Sequence, residues 1–163
     1  MAPAEETWKD WLMEVEPVIT TAEKTVFSGL KTEEEKARFI RSFWKVRDPD
    51  PQTAVNEYKR EYYKRLNYVK SHVGGPRTDQ GKIFMILAEP KERVSHTGGE
   101  KVVDSEIWTY YAEGRSGLPP VINILFYRRD NVGKFRMFYP GMNTALDILS
   151  PGYRFGWEDP RKP

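Results

Sequence analysis

A chain of 163 residues is the size of one domain, and its 26 basic against 24 acidic residues leave a net charge of only +2, too balanced for the strong basic field of a nucleic-acid binder. There is no cysteine, which excludes disulfides, thiolate zinc sites and cysteine nucleophiles. Hydrophobic residues make up 39% and aromatic residues 13%, so the core this chain can build is one rich in Trp, Tyr and Phe.

No run approaches the roughly 18 apolar residues of a membrane span. The acidic start Met-Ala-Pro-Ala-Glu-Glu lacks the apolar centre of a secretory signal. Trp8, Trp11, Leu12 and Val15 then recur at i, i+3, i+4, i+7, and Pro17 ends that predicted helix. Thr20 with Glu23 fits a capping box, followed by Ala22, Val26, Phe27 and Leu30 on one face. Thr32 with Glu35 is a second box, opening a helix whose apolar stripe is Phe39, Ile40, Phe43 and Trp44. Asp48-Pro49 stops it, because the residue before proline disfavours the α region. Thr53 is expected to cap a long helix through about Ser71, with Val55, Tyr58, Tyr62, Leu66 and Val69 at helical spacing and Gly74-Gly75-Pro76 as its end.

Beyond Pro76 the period changes. "KIFMILA" (82–88) is nearly continuous and apolar and predicts a strand covered on both faces. "EIWTYYA" (106–112), "VINILFY" (121–127) and "KFRMFY" (134–139) also read as strands, with 129–133 turning the last two into a hairpin. Gly98-Gly99 and 114–120 read as loops. Residues 1–150 form one predicted domain, and 151–163 a Pro/Gly-rich tail that reads as poorly packed. Helices first and strands second predict an α+β fold, N-terminal helices packed on a roughly four-stranded antiparallel sheet.

The order "FWKVRDPDPQTAVNEYKREYYKRLNYV", "GPRTDQGKIFMIL", "EP", "EIWTYY" resembles the GWxTD domain family, a bacterial domain of unknown function. The Arg-Asp-Pro, Asn-Glu and Thr-Asp-x-Gly parts agree, at Arg47–Pro49, Asn56-Glu57 and Thr78–Gly81. Pro76 stands where the family's name has tryptophan. Leu87-Ala88-Glu89-Pro90 stands where Tyr-Gly-Pro-Pro is usual, and lacks its glycine. The resemblance implies an exported, extracytoplasmic bacterial protein and supplies no catalytic residues. A looser likeness, of strand and turn order alone, is to small lipoproteins of the outer-membrane β-barrel assembly machinery, which are interaction modules.

Several residues are candidates for a site. Arg47 and Asp48 at one helix end, with Asn56 and Glu57 opening the next, would form either a polar cluster for an anion or a peptide backbone, or a helix–helix corner held by caps and one ion pair; the corner is the preferred reading. Thr78 and Asp79 would make a nucleophile and base, but no histidine within the motif activates Thr78, so a turn with Gly81 as its close-packing residue is preferred. His72, His96 and Glu100 lack metal-ligand spacing, and no cofactor is expected. Lys59, Arg60, Lys64, Arg65, Lys70 and Arg77, interleaved with Tyr63 and Tyr68, read as a solvated face before a nucleic-acid surface. Trp108, Tyr110 and Phe138 form a possible interaction patch on the sheet. Phe138 has a second expected fate, packing under the tail against Tyr153, Phe155 or Trp157.

The function these features predict is a non-enzymatic interaction or structural module of an exported bacterial protein, binding another protein or a neighbouring domain. The alternatives are a cell-envelope hydrolase using Asp79 and Glu57 and, behind it, a nucleic-acid binder through residues 59–70.

Overall fold

The computed structural model describes residues 5–98, 103–112, 118–128 and 133–138. The predicted tail 151–163, Tyr139, Gly99, Glu100 and most of the two predicted turns at 114–120 and 129–133 lie outside the described residues.

Among the described residues, five helices precede four strands. Helix α1 spans Glu5–Val15, α2 Thr21–Gly29 and α3 Glu33–Lys45. Both predicted capping boxes form: Thr20 and Thr32 accept from the amides of Glu23 and Glu35, whose carboxylates reach back to the cap amides. Helix α4 runs Glu57–His72, and its cap is Asn56 rather than Thr53. Asn56 accepts from Lys59 N at 2.8 Å, whereas Thr53 sits in the preceding turn and Val55 stays outside the helix and exposed. Asn56 wins because its amide group has a second partner across the corner, which Thr53 lacks.

The segment 82–88 is not a strand. It belongs to α5, Asp79–Leu87, capped by Thr78, whose Oγ1 accepts from Gly81 N at 3.0 Å. Ile83, Phe84, Met85, Ile86 and Leu87 are all buried, so apolar residues appear on every side of the helix. A short helix buried all round carries no amphipathic period, and periodicity cannot separate it from a central strand. The Thr78 cap, four residues upstream of the segment, is the discriminating signal.

The antiparallel sheet has the order β1-β2-β3-β4, with β1 Glu92–His96, β2 Asp104–Tyr111, β3 Val121–Arg128 and β4 Arg136–Met137. The sequence reading missed β1, whose five residues are all exposed and give no apolar alternation. The fold is α+β, as predicted, with a different first strand.

Two aromatic centres hold the core. Trp11 meets Phe27 and Phe43 with ring centroids 5.2 Å apart in each case, joining α1, α2 and α3. Trp108, fully buried on β2, packs edge-on to Phe126 of β3 at 4.9 Å and to Phe84 of α5 at 6.4 Å. Each such ring removes a large apolar area from water, which is how a chain of modest apolar content stays folded. Helix α1 is tied to α4 by the Tyr62 hydroxyl, donating to Glu14 O at 2.6 Å, and by the Lys70–Glu14 ion pair.

Candidate functional site: the corner, the helix turn and the outer sheet face

At the α3–α4 corner Arg47 is 1% exposed. Its Nη2 donates to both carboxylate oxygens of Glu23, at 2.8 and 2.9 Å, and its Nη1 to Phe43 O at 2.9 Å. The guanidinium also lies over the Phe43 ring, 3.6 Å from its centroid. Burial alone would raise the Glu23 pKa, but the hydrogen bonds from Thr20 and the Arg47 charge outweigh it and hold the carboxyl below its ordinary value. Asn56 works in both directions, capping α4 while its Nδ2 donates to Trp44 O at 2.7 Å. Asp48 closes a local turn by accepting from Asp50 N. These side chains make their hydrogen bonds within the corner, and Arg47 Nε is left buried without a partner.

Glu57 differs from them. Its Oε1 accepts from Thr53 Oγ1, its Oε2 has no hydrogen-bond partner, and it lines a cavity of about 380 Å³ with Pro49, Tyr58, Glu61, Arg65 and Met85. Arg65 is held within that wall by Glu61 at 3.2 Å and by the Met85 carbonyl at 3.0 Å.

The Thr-Asp-x-Gly motif forms the turn into α5. Thr78 Oγ1 lies 2.9 Å from Gly75 O and 3.0 Å from Val73 O while capping the helix. A Cβ on Gly81 would stand 1.9 Å from Gly75 O, so only glycine lets the two backbones approach. Asp79 Oδ2 accepts from Met137 N at 2.8 Å and so fastens α5 to β4. Asp79 follows the C-terminal end of α4, and Glu57 opens that helix; its 16 residues rise about 24 Å. The two carboxylates do not meet.

The basic set is partly consumed. Arg65 is buried, Lys70 pairs with Glu14 and Arg77 with Glu16. Lys59, Arg60 and Lys64 remain exposed beside Tyr63 on a shallow groove. His72 stacks on Tyr68 at 4.2 Å, His96 is exposed on β1, and no metal-ligand group of three occurs among the described residues.

Trp108 and Tyr110 are corrections to the predicted patch. Both face the helices: Trp108 is 0% exposed, and Tyr110 is buried with its hydroxyl donating to Ala88 O at 2.9 Å. The strand alternates, and the register places Trp108 opposite Ile124 on the covered side. Phe138 does face outward, 42% exposed, as expected.

Phe138 is one end of a larger feature. The cross-strand register puts Val94 beside Ile107 and Ile107 beside Leu125, and Phe138 N donates to Leu125 O at 2.8 Å. Val94, Ile107, Leu125 and Phe138 therefore form one apolar row across all four strands, on the face away from the helices. Val94 is 49% exposed, and Ile107 and Leu125 are half-buried. Tyr127 stands beside the row, its ring 6.3 Å from that of Phe138. Exposed Tyr111 and Val121 pair on the same face. Among the described residues no element covers this face. The available signal is in "VINILFY", apolar at both alternating sets of positions apart from Asn123; without β1 the row cannot be assembled.

Fold and motif geometry together define a helix-backed antiparallel-sheet domain whose signature residues join its elements. The GWxTD domain model matches residues 3–157, nearly the whole chain, and the protein belongs to the GWxTD domain family. No curated protein and no solved structure matches the chain. Two departures from the family pattern now have places. Pro76 is buried in the turn, and Ala88, where the glycine is usual, has φ 66° and ψ −156°. Among the described residues no helix is long and apolar enough to cross a membrane.

Proposed function

We propose that this domain is a non-enzymatic interaction or structural module of an exported bacterial protein, and that it meets another protein or a neighbouring part of its own chain through the outer sheet face. The observation that carries the reading is the continuous row Val94–Ile107–Leu125–Phe138, apolar and uncovered among the described residues. A contiguous apolar surface on a polar domain marks a place of contact. The motif residues support the same reading from the other side: Arg47, Asn56, Thr78 and Asp79 each make internal hydrogen bonds that join elements of the fold, and Asp79 lies at the opposite end of α4 from Glu57. A hydrolase working through Asp79 and Glu57 gains nothing from this geometry. The extracytoplasmic setting rests on the family resemblance, and the proposal requires neither cofactor nor nucleic acid.

The test is a photo-reactive amino acid at Leu125, with one at the exposed Lys82 of α5 as control, activated in the native host. The reading expects a discrete cross-linked product, within the chain or to one partner, at Leu125 only. Equal, diffuse labelling from both positions would contradict it.

A further inference from the structure

The cations left over on α4 share one surface. Lys59, Arg60 and Lys64 line an open groove of about 520 Å³ that follows the helix from Val55 to Asn67. No carboxylate lines that groove. Among the described residues none of the three makes an ion pair, whereas Arg65 and Lys70 of the same helix do. The helix's own acids, Glu57 and Glu61, lie on the cavity described above, which shares only Arg60 with the groove. The fold gains little from this arrangement. Arg60 and Lys64 are a like-charge i,i+4 pair, and Lys59 stands in the first turn, where the helix dipole opposes a cation. Its one compensation is weak, an ammonium 5.9 Å from the centroid of the Trp44 ring. The floor between the cations is apolar and anchored. Val55 is 46% exposed, and the Tyr63 ring packs on buried Trp44 at 5.6 Å. Asn56 is fixed at one end by its bond to Trp44 O, and exposed Asn67 presents a side-chain amide at the other.

We propose that this groove is a second contact surface, on the helix layer rather than the outer sheet face, and that it takes an acidic segment of a partner protein. Carboxylates of that segment meet Lys59, Arg60 and Lys64, while an apolar side chain lies over Val55 and Tyr63. Charge complementarity sets the sign of the occupant, and the floor sets its apolar part. From Asn56 to Asn67 the groove runs about 17 Å along α4, the length of about five extended residues. Nucleic acid fits less well. The net charge of the chain is only +2, so no wider basic field supports the groove. The half-buried Tyr63 ring is engaged by Trp44 and Tyr62 rather than free to stack a base. An anionic bilayer is recognised by clusters of about four to eight cations, more than this groove offers.

The test is fluorescence polarisation of the labelled peptide EDLEFDE with the full chain at low salt. The native chain should bind it with a Kd below about 1 mM. Lys59→Gln, Arg60→Gln and Lys64→Gln together should weaken binding by about tenfold or more. Lys24→Gln, Arg41→Gln and Lys45→Gln remove the same charge from exposed positions of α2 and α3 and should weaken it by less than about twofold. Val55→Ser, at an exposed position outside any helix, should weaken EDLEFDE by about threefold and leave EDSESDE, its counterpart without apolar residues, unchanged. Equal weakening by the two triple variants would overturn the proposal, because the peptide would then feel net charge alone. Equal affinity for the two peptides, or no binding up to about 1 mM, would overturn it as well. Tighter binding of a single-stranded oligonucleotide or of phosphatidylglycerol vesicles, lost in the groove variant, would give the surface to that class instead.

Discussion

Arg47 shows how a side chain that reads as a site in sequence becomes part of the scaffold. Its guanidinium is buried with Glu23, Phe43 O and an aromatic ring around it. Removing one partner of such a pair leaves a buried charge unanswered, so Arg47→Ala should destabilise by about 3 kcal/mol. The pair also fixes a pH dependence. The folded-state pKa of Glu23 lies below its ordinary 4.5, so the stability it contributes is full above that value and is lost as pH falls through the lower folded one. The melting temperature of the native chain should therefore fall more steeply below pH 4.5 than that of Glu23→Gln. A parallel decline in the two would show that the pair contributes nothing of this kind. Ala88 makes the opposite point. Its φ of 66° with ψ of −156° lies in a region that is essentially glycine's, and the strain costs on the order of 1–3 kcal/mol. Ala88→Gly should raise stability by about 1 kcal/mol, measured by urea denaturation; an unchanged or lowered midpoint would count against that strain. The family's glycine at this place was legible in the sequence, but the reason for it was not, because a backbone angle leaves no mark on composition.

Elements were legible where their ends carried chemistry. Two capping boxes placed α2 and α3 because a Thr and a Glu three residues apart satisfy each other's amides. The start of α4 was misplaced by a few residues because Thr53 and Asn56 are both good caps, and the choice turns on Asn56 reaching Trp44 O, a contact twelve residues back. Helix α5 reads as a strand in sequence because it is buried on every side, and β1 gives no strand signal because it is exposed along its length. The α4–α5 turn yields two further predictions. Gly81→Ala places a methyl group 1.9 Å from a backbone oxygen that cannot step aside, and should cost at least about 2 kcal/mol. Asp79→Ala removes the only acceptor assigned to Met137 N among the described residues and should cost about 1 kcal/mol, with faster hydrogen exchange at that amide. Native exchange at Met137 in this variant would remove Asp79 from its fastening role.

On the scale of the whole molecule, helices and sheet form two layers, and among the described residues no element covers the sheet's other face. The α+β class followed from the order of predicted elements, which survives the exchange of one strand for another. The covered face of β2 took Trp108 and Tyr110, both of which the sequence suggested for the surface. Aromatic excess alone does not say which side of a strand a ring occupies; the register does. The row on the other face needed all four strands in order before it existed as a feature. In the proposed function the two faces divide the work: Arg47, Asn56 and Asp79 hold the layers together, and the open face is the one offered for contact. The most direct test of that division is equilibrium urea denaturation of Arg47→Ala, Asn56→Ala and Asp79→Ala against the native chain. The account predicts that each variant loses about 1–3 kcal/mol with an unchanged slope. Native midpoints for all three would contradict it and return those residues to the surface chemistry of a ligand site.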